Sequence, residues 1–351
     1  MSEVRFGFIG AGKIAYHSAE DLLKHDNARL TAAQDLSEDR LNEFADKFEI
    51  GERYADSAAL FASENVDAVY IAVPNKFHAE LAIAALKAGK HVMLEKPFAM
   101  NATEAQTVID AAKESGKLFT LGMNQRFREE SQKIHSLAEK GAFGEIYYAK
   151  AYWFRRSGIP TLGTWFGNKA LAGAGAINDI GVHLLDLCLH TIGNFEPVSV
   201  SGSTYTKFGN RGLGEGGWGL SDKSETIFDV DDLATAFIKM KNGATVLLEV
   251  TWACHTAEHN KMNVEIFGTD AGASLYPAKV YKSEDLSEDY QIIENVRADV
   301  PMEHASRFHN FLNAINGAEE LLVKPEQALV VQKILDAVAE SCATGKEVAL
   351  D

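Results

Sequence analysis

Three side chains in this 351-residue chain have the types and settings needed to move protons and stabilise charge: Lys96, Asp179 and His183. Lys96 closes the apolar run His91-Val92-Met93-Leu94 as part of Glu95-Lys96-Pro97, and buried strands rarely end on charge. Pro97 confines the residue before it to extended backbone, so the ammonium is held stiffly at the carboxyl edge of a strand, where open α/β sheets bind ligands. Asp179 and His183 stand four apart in Ile177–Asp186, which reads as a helix, and that spacing puts them on one face. Histidine is the natural acceptor of a hydroxyl proton near neutral pH, and a fixed ammonium stabilises alkoxide character. Each also has a plainer use. A histidine in an apolar helix is usually structural, Asp179 fits a helix start stabilised by the dipole, and Lys96 could pair with Glu95, although neighbours on a strand point to opposite faces.

The elements around these groups are those of a nucleotide fold. Val4–Ile9 reads as a strand, followed by Gly10-Ala11-Gly12-Lys13-Ile14-Ala15 and a helical pattern, a G-x-G-x-x-A fingerprint in its strand-turn-helix setting. Gly10 permits the tight turn, Gly12 lets a pyrophosphate approach, Ala15 lets the helix pack closely, and free amides at the helix start hold the phosphates. The strand ending at Gln34 delivers Asp35 to the adenosine ribose, which favours NAD because a 2′-phosphate would be repelled; Arg40 nearby is a type that accommodates that phosphate, so NADP stays open. The plainer alternative is that Asp35 merely precedes a helix capped by Ser37. The strand Val66–Val73 runs into Pro74-Asn75 and His78, so Val73, Pro74, Asn75 and His78 are expected beside Glu95 and Lys96 on the nicotinamide side of the cleft. Asn124 and Arg126, after the strand Leu118–Gly122, are expected to face it, with a surface ion pair as the alternative for Arg126.

The pattern changes near Gly141. Glu145–Phe154 is a long aromatic strand leading to Arg155, Arg156 and Trp165, candidates to select substrate by bidentate contacts and by covering an apolar face. Strands follow at 198–205, 232–240, 244–252 and 262–267, with Asn242-Gly243 as a hairpin turn. The expected fold is α/β: a Rossmann-type doubly wound parallel sheet over residues 1–122, then an α+β domain with a largely antiparallel, open-faced sheet over 123–351, closing helices at 305–316 and 325–343 packing on either. Lys207–Asp222 contains a second glycine fingerprint, Gly214-x-Gly216-x-x-Gly219, but no helix follows, so it reads as a mobile loop.

Composition narrows the partners. A net charge of −16 and a pI near 5.2 disfavour nucleic acid and anionic membrane, no run spans a bilayer, and three scattered cysteines suit a reducing cytoplasm. Cys254-His255 with His259 falls short of a ligand set, so no metal is expected.

Gly10-Ala-Gly12, Pro74-Asn75 with His78, Glu95-Lys96-Pro97, and Ala172-Gly-Ala-Gly175 followed by Asp179, Gly181, His183 and Asp186 together resemble the Gfo/Idh/MocA oxidoreductases over nearly the whole chain. The resemblance implies catalysis by Lys96, Asp179 and His183, NAD(P) as cofactor, and hydride transfer at a secondary hydroxyl of a sugar, inositol or related polyol. Gly173-Ala174-Gly175 departs from the triple glycine of many members. Alternatives on the same fold are a redox-neutral lyase, epimerase or glycosidase using transient oxidation, and a non-catalytic ligand sensor. An open second sheet would expose apolar and aromatic surface, so a homodimer or homotetramer through it is expected.

Overall fold

The computed structural model describes residues 2–219, 227–287, 289–294, 296 and 306–350. Among them, β1 (Val4–Ile9), β2 (Ala28–Gln34), β3 (Glu52–Tyr54), β4 (Ala68–Ile71), β5 (His91–Leu94) and β6 (Phe119–Leu121) form a parallel sheet ordered β3-β2-β1-β4-β5-β6. Its strands read as continuous apolar runs because both faces are covered: Val69 and Ile71 of β4 enter one core, while Ala68 and Tyr70 enter another. The crossovers are α1 (Lys13–Leu22), α2 (Glu38–Lys47), α3 (Ser57–Ala62), α4 (His78–Lys87) and α5 (Ala102–Ser115). Asn101 caps α5 by accepting from the Glu104 amide at 2.9 Å, and Glu104 accepts from the Met100 amide. Strand order reverses between β1 and β4, which opens a crevice at their carboxyl ends.

The second half begins with α6 (Glu129–Glu139), β7 (Ile146–Arg155) and α7 (Lys169–Ala172). The stretch expected as one straight helix instead opens with a π turn, Ile177–Gly181, in which the Val182 amide bonds the Ile177 carbonyl, before α8 (Val182–Ile192). Such bulges gather at functional sites. The second sheet contains β8 (Pro197–Tyr205), β9 (Leu233–Met240), β10 (Thr245–Thr251), β11 (Asn260–Gly268), β12 (Gly272–Ser274), β13 (Lys279–Lys282) and β14 (Gln291–Ile293), joined by β15 (Val348–Ala349) after α9 (Arg307–Ile315) and α10 (Pro325–Thr344). Its order is β14-β13-β12-β11-β7-β10-β9-β8-β15, antiparallel except where β7 runs beside β10. Asn242-Gly243 makes the β9–β10 turn, Gly243 at φ 89°. Alternation divides the faces: Ala149, Ala151, Val246, Leu248 and Ile238 are buried, while Tyr148, Lys150, Leu247 and Phe237 point the other way.

The closing helices divide their packing. Phe308 and Phe311 of α9 join Phe6, Phe8 and Tyr70 in a core of the first sheet, whereas α10 packs on both α5 and β8. The loop after β8 is tied down through Gly219, the part that is described: Gly158 and Ile159 amides donate to the Gly214 carbonyl, and Thr161 donates to that of Trp218. Residues 220–222 of the expected loop lie outside the described residues.

Candidate active site

A cavity of about 920 Å³ runs from the glycine turn at the end of β1 to the loops of the second sheet. At its first end, Gly10 adopts φ +91°, and a Cβ there would lie 2.3 Å from the Ala72 carbonyl oxygen, so only glycine lets β1 and β4 approach this closely. Gly12 begins α1 with no side-chain cap, leaving the first helix amides for an anion. Gly10, Gly12, Lys13 and Ile14 line the cavity; Ala11 contributes its amide, which donates to Asp35 at 2.8 Å. Asp35 also accepts from the Ser37 amide at 2.8 Å and from Arg40 Nη2 at 3.0 Å. A carboxylate offers about four acceptor positions, so Asp35 retains room for a ribose hydroxyl while holding Arg40 at the rim. Uncapped amides, a glycine contact that a Cβ would block and a carboxylate with spare acceptance fit a dinucleotide.

At the other end the two halves of the chain meet. Lys96 Nζ donates to Asp179 Oδ1 at 2.8 Å and to the Asp179 carbonyl at 2.9 Å. Of its three protons these bonds use two. Asp179 Oδ2 accepts from Trp252 Nε1 at 2.8 Å, so both carboxylate oxygens are engaged. Burial pushes the Asp179 carboxyl up, but the Lys96 ammonium, then Arg155 and the Trp252 bond, outweigh it and hold it below the usual range. His183 lines the same cavity. Its Nδ1 is enclosed without a partner, and burial followed by the Lys96 charge pushes the imidazole down to about 3, so the ring is neutral near pH 7. Asp231 fixes the preceding turn by accepting from the Gly175 and Ile177 amides at 2.7 and 2.9 Å, and burial raises its carboxyl to about 6. A Cβ on Gly175 would fall 1.9 Å from the Asp231 carbonyl oxygen, which accounts for glycine there.

Val73, Pro74, Asn75, Glu95, Asn124, Arg155 and Trp165 also border the cavity. Four expected residues do not: Ala11, whose amide is spent on Asp35, Arg156, whose guanidinium donates to the Thr256 and Ala257 carbonyls on the exposed side, Arg126 and His78. Arg126 is wholly buried and forms a bidentate pair with Asp186 (2.6 and 2.8 Å), reaching the Leu322 carbonyl and Gln327 as well. It is neither a cleft residue nor a surface ion pair; it pins α8 to the turn after β6. His78 is buried with Nδ1 2.8 Å from the Pro97 carbonyl and Nε2 3.0 Å from that of Val73, bracing the loops that carry the neighbouring cofactor candidates. Glu95 lies beneath Lys96 in an internal network: Arg307 Nη1 and the Tyr70 hydroxyl donate to its Oε1, and Arg307 Nη2 donates to Ser18 at 2.7 Å.

Comparison with known proteins identifies the fold's lineage. Residues 4–123 match the Gfo/Idh/MocA oxidoreductase family, NAD-binding Rossmann fold, and residues 131–274 match the Gfo/Idh/MocA C-terminal domain. D-glucoside 3-dehydrogenase of Escherichia coli K12 is 31% identical over 353 aligned residues, covering 99% of this chain and 98% of that protein. The chain belongs to the Gfo/Idh/MocA oxidoreductase family. Myo-inositol 2-dehydrogenase of Thermotoga maritima is 30% identical over 70% of this chain and 68% of its own. An NAD-binding protein from Listeria innocua superposes with a TM-score of 0.80 at 27% identity, covering 99% of this chain and 97% of the other.

Gfo/Idh/MocA membership makes the chain an oxidoreductase with an NAD-binding first domain. Sequence reading missed two supports of its site, Trp252 and Arg307. Trp252 reaches Asp179 across 73 positions, and Arg307 reaches Glu95 across 212. Neither sits in a local pattern that announces a partner. Among the described residues no three His, Cys, Asp or Glu side chains come together as a metal-ligand set, and no described helix is long and apolar enough to cross a membrane.

Proposed function

We propose that this protein transfers hydride between NAD and a secondary hydroxyl carbon of a sugar, inositol or related polyol, with Lys96, Asp179 and His183 as the catalytic residues. The observation that carries the reading is Lys96: Asp179 consumes two of its protons and leaves one for a substrate oxygen inside the cavity that also holds the glycine turn. The bound nicotinamide supplies the hydride acceptor. Asp179 aims the Lys96 ammonium; the ammonium lowers the cost of ionising the hydroxyl; neutral His183 takes the proton on a ring nitrogen. Trp165, stacked 3.9 Å from Phe166, with Trp218 edge-on to Phe166, offers apolar faces of the kind that cover a sugar ring. The names of the glucoside and inositol dehydrogenases among its relatives support the substrate class.

Asp35 supports NAD, and Arg40 beside it supports use of NADP as well. We place the domain boundary near residue 122, and infer a cytoplasmic protein from its unpaired cysteines. The open face of the second sheet, where Tyr148 packs on Phe267 and Phe237 is 45% exposed, is proposed to assemble the chain as a homodimer or homotetramer. A panel of sugars, glycosides and inositols, followed by nicotinamide absorbance with NAD and NADP separately, tests the activity. Turnover with at least one member is expected; dinucleotide binding without turnover on any of them would count against it.

A further inference from the structure

Two arginines stand side by side at the end of β7, and their fates differ. Arg156 is satisfied: its Nε donates to the Thr256 carbonyl at 3.2 Å and its Nη2 to the Ala257 carbonyl at 2.5 Å. Arg155 borders the cavity with its guanidinium 4.3 Å from the centre of the Trp153 ring, and no hydrogen bond or ion pair to its side chain is formed by any described residue. Among the described residues the buried arginines, Arg126 and Arg307, are each held by a carboxylate. Burial pulls the Arg155 guanidinium below its ordinary range, with the Asp179 charge opposing it. A cation with five donors, partly withdrawn from water and unused by the protein, asks for an acceptor.

Its surroundings offer donors. Trp153 Nε1 donates to Asn260 Oδ1 at 2.7 Å, which fixes that amide so that its NH2 group is left over, and Asn260 and Ser157 border the same cavity. Charge bookkeeping points the same way. At this end Lys96 is balanced by Asp179 and Glu95 by Arg307, while His183 is neutral; among the described residues no ion-pair partner is left for Arg155 inside a chain of net charge −16. A planar guanidinium braced on an indole presents a fork that matches carboxylate and phosphate oxygens.

We infer that Arg155, with Asn260 and Ser157, forms a receptor for an anionic substituent, so that the preferred substrate is a sugar bearing a carboxylate or a phosphate ester. This rests on the sugar-oxidoreductase reading and narrows it to acidic sugars. Stacking on Trp153 holds the fork in place, and the anion anchors the ring at a distance from the hydroxyl that Lys96 engages.

Calorimetric titration of the NADH-loaded protein with D-glucose, D-glucuronate and glucose 6-phosphate tests it independently of turnover. At least one acidic sugar is expected to bind ten-fold or more tighter than glucose, with an advantage that shrinks as salt rises, and the carboxylate and phosphate arms identify which anion the site prefers. Arg155→Gln should bring the acidic sugars to the level of glucose. Arg156→Gln removes the same charge from the adjacent position and should keep the preference. Equal binding of neutral and acidic sugars, no binding of either acidic sugar, or equal loss in both arginine variants would overturn the receptor. Selective binding of acidic sugars without hydride transfer to or from any sugar would instead refute the oxidoreductase reading and leave the receptor standing.

Discussion

At the residue scale, the catalytic end of the site works by leaving one proton of Lys96 unassigned. Trp252 occupies Oδ2 of Asp179, and Asp179 occupies two protons of Lys96, so one Lys96 proton is left for what enters the cavity. Trp252→Phe keeps most of the ring and removes the N–H. A lost hydrogen bond to a charged group is worth about 1.5–3 kcal/mol, so kcat should fall by about ten- to a hundred-fold with NADH affinity unchanged; an unchanged kcat would show that Asp179 needs no such anchor. His183 yields a pH prediction. Its folded-state value of about 3 lies below the ordinary 6.5, so the imidazole is already neutral throughout the range above pH 5. The kcat/KM profile for alcohol oxidation should therefore show no acid limb assignable to His183 between pH 5 and 8. A limb centred near 6.5 that vanishes in His183→Asn would contradict the environment described.

At the element scale, the π turn before α8 decides where Asp179 and His183 stand. Its start is held by Asp231, whose carboxylate and carbonyl together meet the amides of Gly175, Ala176 and Ile177. Gly175→Ala drives a methyl into that carbonyl, and overpacking of this kind costs about 1–3 kcal/mol. The thermal midpoint should drop and kcat with it; a variant as stable as the parent would show that the turn can relax. Much of this was legible in sequence. The fingerprint gave the crevice, and Lys96 stood out because charge ends an apolar strand. The four-residue spacing of Asp179 and His183 suggested a common site, although the expected α-helix hid the π turn. What was illegible came from partners distant in the chain. Arg126 looked like a cleft residue because nothing near it in sequence reveals Asp186, and His78 looked like a ligand contact because the carbonyls of Val73 and Pro97 cannot be placed from a single strand ending.

At the scale of the whole molecule, two halves share one cavity, and the ends of the chain lock them together. Arg307 of α9 reaches under Lys96 to Glu95, while α10 spans α5 and β8. On the second sheet the half-exposed Phe237 lies beside Leu247 across the β9–β10 pair, in the face through which assembly is proposed. Light scattering should give a mass of two or four chains, and Phe237→Glu, which puts a charge in that face, should shift it toward one. A wild-type protein of single-chain mass would refute assembly through this sheet. The account as a whole stands on Lys96 and His183 doing the chemistry rather than holding the cofactor. The most direct measurement compares kcat and NADH dissociation constants of Lys96→Met and His183→Asn with those of the parent on one turned-over sugar. General acid–base and electrostatic groups contribute roughly a hundred- to ten-thousand-fold each, so kcat should fall by at least about a hundred-fold in both variants while NADH affinity changes by less than about three-fold. Near-parental kcat in either variant, or a loss explained by weakened NADH binding, would contradict the claim.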